Sequence, residues 1–217
     1  MEHLIPYLKK LKKNNNRDWF EKHKADHDLV KEEFTAFISQ VLDGLKGFDK
    51  ELKDIEAKKT VFRIYRDVRF SKDKTPYKTH FGASINPGSK NMNTPGYYIH
   101  VEPGKCFIVA GIYGPETPVL NKIRQEIVYH LPEFKKILAE KNYKKYFGSL
   151  DAEEQTKNPP RGFDKESPAM EFLKYKSYLA YHEFDEKKIL DKNFPKKIAE
   201  MLKVSFPLNK FLRRAMV

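Results

Sequence analysis

The spacing of apolar residues changes twice along the chain, from a helical repeat to an alternating one and back. At the start, Leu4, Leu8 and Leu11 recur at helical spacing with lysines on the other side, and asparagines at 14–16 stop the run. This predicts a short amphipathic helix over 4–13. Asp18 followed by Glu21 has the form of a capping box, and Val30, Phe34, Phe37, Ile38, Val41, Leu42 and Leu45 keep one helical stripe as far as Gly44 and Gly47. One long helix is expected there.

From Thr60 the period becomes two. Phe62, Ile64, Val68 and Phe70 fall on one side and Arg63, Tyr65, Asp67 and Arg69 on the other, which predicts a strand with one polar face. "FGASIN" (81–86) predicts a second strand, and "GYYIHVEPGKCFIVAGIYG" (96–114) a hairpin turning at Pro103 and Gly104. In that hairpin Tyr97, Ile99 and Val101 share a face with Cys106, Ile108 and Ala110, whereas Tyr98, His100 and Glu102 point the other way. Beyond Pro118 the helical period returns with Leu120, Ile123, Ile127 and Val128, and Pro132 opens another helix carrying Phe134, Ile137 and Leu138. Residues 148–168 have loop composition, at a length unusual without a function. "YKSYLAYH" (175–182) predicts a last strand, and helices are expected to start near Phe184, Pro195 and Pro207. The expected fold class is α+β: a central antiparallel β-sheet, a meander or hairpin, with helices from both the N-terminal and C-terminal parts packed around it. No repeat or linker divides the chain, so a single domain over 1–217 is expected.

Composition narrows the class. A chain of 217 residues can bury about 70% of its unfolded surface without disulfides or metals. An apolar share of 40%, a charged share of 33% and a mean hydropathy of −0.72 describe a soluble protein. No apolar run approaches the roughly 20 residues of a membrane span. The amino terminus lacks the small-residue cleavage site of a signal peptide, so a cytoplasmic location and no membrane partner are expected. Cys106 is the one cysteine and sits in an apolar run, as a small buried hydrophobe would. The net charge of +12 attracts anions, which leaves nucleic acid, anionic lipid and phosphorylated metabolites open. Paired lysines such as Lys9-Lys10 and Lys187-Lys188 supply much of that excess as solvated helix faces.

The densest charge lies in "RIYRDVRFSKDKTPYK" (63–78), where Arg63, Arg66, Arg69, Lys72, Lys74 and Lys78 face only Asp67 and Asp73. Two structural readings stand. In one, these cations and Tyr77 form a pocket for a phosphate- or carboxylate-bearing small molecule. Arginine offers paired planar donors, and neighbouring cations repel until an anion joins them. Asp67 then orients an arginine, and Arg161 of "PPRGF" closes over the ligand from the long loop. In the other, ion pairs with acids such as Glu102 hold a polar sheet face together. Two other functions compete with the small-molecule site. A nucleic-acid-binding module would use Tyr65, Tyr77 and Tyr98 as stacking surfaces, and a structural or partner-binding domain would pair its charges internally. Should the protein be an enzyme, His100 and Glu102, two apart on one strand face, are the proton-transfer candidates, with Asp67 as an orienting group.

Sharper motifs fail. His23 and His27 stand four apart on a helix, but the glutamate of His-Glu-x-x-His and a third ligand are missing. A solvated pair and no metal are expected. Gly-x-Gly-x-x-Gly, P-loop and Gly-x-Ser-x-Gly signatures are absent, so no reaction and no cofactor is indicated. Trp19 is expected in the core.

Five stretches, "NRDWFEKHK" (16–24), "RIYRDVRFSKDKTPYKTHFGA" (63–83), "GYYIHVEPG" (96–104), "PPRGF" (159–163) and "FPLNKFLRR" (206–214), resemble in order the motifs of a bacterial and fungal family catalogued as domain of unknown function 2461. The resemblance implies one domain over nearly the whole chain and brings no activity with it.

Overall fold

The computed structural model describes residues 1–88, 93–152 and 154–216. The first helix, α1, spans Leu4–Lys13 and buries Leu4, Leu8 and Leu11, the stripe its sequence predicts. The expected long helix is broken at His23 into α2 (Arg17–Lys22) and α3 (Lys24–Lys46). Asn16, not Asp18, caps α2: its side-chain oxygen accepts from the Trp19 N–H at 2.9 Å, as a good N-cap residue does. In α3 the whole stripe from Val30 to Leu45 is buried. The helix packs against α1, α2 and the short helix α4 (Ala57–Thr60). Gly44 lets Ala199 approach so closely that a Cβ at position 44 would overlap it.

Four antiparallel strands, β1 (Phe81–Ile85), β2 (Gly96–Glu102), β3 (Lys105–Ile112) and β4 (Tyr178–Phe184), lie in the order β1-β2-β3-β4. Alternation sorts their faces. Phe81, Ala83, Ile85, Ile99, Val101, Cys106, Ile108 and Ala110 are buried on the face that meets the helices, and His80, Tyr98, His100, Glu102 and Phe107 have the opposite parity.

The strand expected from Thr60 does not form. Val61 bridges Ala83, and Tyr65 bridges Tyr77. Backbone bonds from Phe62 to Gly82, Lys78 to Ile64 and Arg66 to Pro76 draw 61–66 alongside 76–83. Beyond Arg66 the alternation no longer matters, because residues 67–75 form a loop tip in which Phe70 is 95% exposed.

The later helices are α5 (Thr117–Tyr129), α6 (Leu131–Ala139), α7 (Lys141–Phe147), α8 (Met170–Leu173) and α9 (Phe194–Arg214). A 3-10 turn at Glu186–Leu190 takes the place of the helix expected near Phe184. Pro207 begins nothing: it lies inside α9, where continuous burial of Leu202, Ser205, Leu208, Phe211 and Leu212 outweighs the lost backbone bond. The described part of 148–168 is turns and bends apart from a bridge between Gln155 and Tyr175, and residue 153 of that expected loop lies outside the described residues.

Two compact units emerge, one of Met1–Ile85, Tyr98–Ile108 and Glu183–Glu200, the other of Asn86–Tyr97, Val109–His182 and Met201–Val217. In the first, Phe34 packs on Phe81 at 5.4 Å between ring centroids and Phe37 on Phe194 at 6.5 Å. In the second, Phe134 is surrounded by Phe172, Tyr178 and Phe211. There Asn209 and Arg213 donate to the Gly96 and Pro95 carbonyls. Among the described residues no helix is long and apolar enough to cross a membrane.

Candidate functional site

The cations of 63–78 divide into two groups. Arg66 is drawn into the loop tip. It donates to the Asp73 carboxylate at 2.6 Å, to the Thr75 carbonyl at 3.0 Å and to the Thr75 hydroxyl. Thr75 in turn donates from its N–H and its hydroxyl to Asp73, so a closed ring of bonds fixes the tip. Those bonds, with Arg66, hold the Asp73 carboxyl below its usual range. Arg69 is forked on Asp67 at 2.7 and 3.0 Å, and Lys74 reaches the Val68 carbonyl at 2.9 Å. Asp67 therefore orients an exposed arginine within its own turn. Lys72 is exposed. Tyr77 is buried with its ring stacked 4.1 Å from Phe20, and Asn15 bonds its backbone on both sides.

Arg63 and Lys78 differ. Lys78 is half-buried over the Phe62 ring, 5.3 Å from its centroid, and donates to the Arg63 carbonyl at 2.9 Å. Burial and then the Arg63 charge hold its ammonium below the usual lysine range. Among the described residues no carboxylate is hydrogen-bonded to either side chain. Arg161 is exposed beside Gly162 in the second unit.

From Lys78 the chain runs through Thr79 and His80 into β1, and the polar face of the sheet begins there. His80 lies against His100, with ring centroids 4.4 Å apart, and His100 stacks on Phe107 of β3 at 4.5 Å and 10°. One ring nitrogen of His100, Nδ1, meets the Tyr98 hydroxyl at 2.9 Å; the other, Nε2, faces the Glu102 carboxylate at 3.5 Å. The second oxygen of Glu102 accepts from the Thr79 hydroxyl at 3.0 Å. The Tyr98 ring can lie here because Gly82 has no side chain: a Cβ at 82 would collide with the Tyr98 hydroxyl. Lys105 sits over Phe107 at the rim.

Burial dominates the electrostatics of this face. It lowers His80, with further help from His100, to about 4, and lowers His100 against the opposing pull of Glu102. It also pushes the Tyr98 phenol up to about 12. Both imidazoles are accordingly neutral at neutral pH and present lone pairs. His80, His100 and Glu102 each bring one ligand-type atom into a group whose members all lie within 4.8 Å of one another. The side chains of His100 and Glu102 do project together, as strand alternation predicts. His80 and Thr79 escape a sequence search because they reach the pair only through the register of β1 on β2. Their one signal is that His80 shares the parity of the glycine at 82.

His23 and His27 do not form a solvated pair. His23 stacks on Trp19 at 4.0 Å and bonds the Trp19 carbonyl. His27 is buried among Tyr7, Phe20 and Phe81. A groove of about 640 Å³ runs between α3 and α4, lined by Asp28, Lys31, Glu32, Glu56 and Lys58 among others. Its charges are of mixed sign and none of the candidate residues lines it, so chemistry points to the sheet face and not to this groove. Burial pushes the Cys106 thiol up to about 11, as suits a core residue.

A family model described as a conserved hypothetical protein (DUF2461) matches residues 3–211. No curated protein and no solved structure matches the chain.

Proposed function

We propose that the chain, which belongs to the DUF2461 family of conserved hypothetical proteins, binds a small molecule bearing a phosphate or carboxylate at Arg63 and Lys78. One observation carries this reading. Lys78 is held half-buried beside a second cation, and neither has a carboxylate bonded to it among the described residues. Two neighbouring cations repel, and Lys78 is partly buried beside an exposed Arg63, so an incoming anion relieves the repulsion and meets a lysine that has lost part of its screening water. The flanking Phe62 ring supplies an apolar wall. Arg66, Arg69 and Lys74 are assigned to the loop itself, because each already has an acceptor. For those three the internally paired alternative is the better description.

Thermal shifts of wild type, Lys78→Ala and Lys74→Ala test it against inorganic phosphate, nucleotides, sugar phosphates, dicarboxylates and short oligonucleotides at low and high salt. A ligand at 100 times its Kd adds about 2.7 kcal/mol. A salt-tolerant shift from a small anion is expected in wild type and in Lys74→Ala, and is expected to vanish in Lys78→Ala. Equal shifts in all three proteins, or none from any small anion, would remove the assignment. Shifts from oligonucleotides alone, fading steeply with salt, would mark a nucleic-acid-binding protein instead.

A further inference from the structure

We propose that His80, His100 and Glu102 bind one divalent first-row transition ion on the polar face of β1 and β2. This inference goes beyond the anion site and does not depend on it. The donor set is two imidazole nitrogens and a carboxylate oxygen, a combination that suits zinc, cobalt, nickel or iron(II) better than magnesium or calcium, which prefer all-oxygen shells. Three protein ligands leave a position for water or another ligand, as in metal sites that do chemistry.

Geometry supports the assignment in three ways. First, His100 Nε2 and Glu102 Oε2 are 3.5 Å apart, close to the roughly 3.3 Å between neighbouring ligands on a tetrahedral ion with bonds near 2.0–2.1 Å. The three ligand-type atoms all lie within 4.8 Å of one another. Second, the outer partners are already in place. Tyr98 engages His100 Nδ1 at 2.9 Å, which leaves Nε2 as the ligand atom, and Thr79 holds the far oxygen of Glu102 at 3.0 Å. Metal-binding imidazoles and carboxylates are characteristically fixed by hydrogen bonds of this kind. Third, His100 is stacked on Phe107, with His80 tilted against its other side, so the His100 ring loses little freedom on binding.

With an ion bound, the Nε2 lone pair of His100 is committed, and His100 then serves as a ligand and not as a general base. No covalent step is implied.

The test uses the full-length protein, stripped with a chelator and dialysed. Co2+ is titrated while visible absorption is followed, and Zn2+ is titrated in competition with a chromophoric chelator. One equivalent of each is expected to bind. His80→Gln, His100→Gln and Glu102→Gln should each weaken binding at least tenfold, and Thr79→Val and Tyr98→Phe about tenfold or more. His23→Gln and Lys78→Ala should keep wild-type metal affinity. A Lys78→Ala protein that loses anion shifts but keeps its cobalt spectrum would separate this site from the anion site. Absence of a bound equivalent, or wild-type affinity in both His80→Gln and Thr79→Val, overturns the proposal. Should His100→Gln fail to fold by circular dichroism, Thr79→Val decides, because it removes only a hydroxyl at the rim.

Discussion

Charge in this protein has to be judged residue by residue, since cations adjacent in sequence do different things. Arg66, three positions from Arg63, is a structural strut. Its bonds to Asp73 and Thr75 are charge-assisted and act together in one ring, though solvent screens the exposed Asp73. Arg66→Ala should therefore lower the midpoint of urea unfolding modestly while leaving any small-anion shift unchanged. The same ring has a pH dependence of definite sign. Because the folded state depresses the Asp73 carboxyl, its contribution is complete above the ordinary carboxylate range and is lost as pH falls through the depressed value. Acid should thus expose the tip before the core, with cleavage of native protein by an acid protease mapping to 67–75. None of this partition was legible in the sequence. The string of basic residues is visible there, but which of them finds Thr75 or Val68 depends on how a nine-residue tip folds back.

At the scale of elements, legibility followed burial. The stripes of α1 and α3 and the two faces of the β2–β3 hairpin could be read directly, because each buries one face and water enforces the period. The segment from Thr60 alternates just as well, yet among the described residues it makes two isolated bridges and no strand. Its far half, with Phe70 in solvent, pairs with no strand among the described residues. Pro207 misled for the opposite reason: tertiary packing along α9 overrode a local preference. The metal-type cluster stayed hidden since it depends on register, and hydrophobic pattern fixes parity but not offset. Gly111 of β3 provides the sharpest element-level test. Its φ of 128° is a backbone conformation that side chains rarely adopt, and a Cβ there would run into the Tyr178 carbonyl of β4. Gly111→Ala should cost about 3 kcal/mol or more, seen as a lower midpoint in urea, and Gly104→Ala, which shares a positive φ of 80° but meets no described atom within 4 Å, should cost less because only backbone strain is added.

For the whole molecule, the chain passes between its two compact units at 85/86, 97/98, 108/109, 182/183 and 200/201. Four of those passages fall inside β2, β3, β4 and α9. A regular element cannot easily melt at one end while its backbone bonds persist at the other, which makes one cooperative domain our expectation. The stacking of Trp19 on His23 and near Tyr7 turns that expectation into an optical experiment. This is the chain's sole tryptophan, and it belongs to the first unit, so its emission is a witness that testifies for one half alone. Far-ultraviolet circular dichroism hears both halves. Superimposable urea curves from the two signals would mean that a stress felt by either half is felt by all, whereas a fluorescence transition that parts from the dichroism would reveal a protein able to lose one half and keep the other.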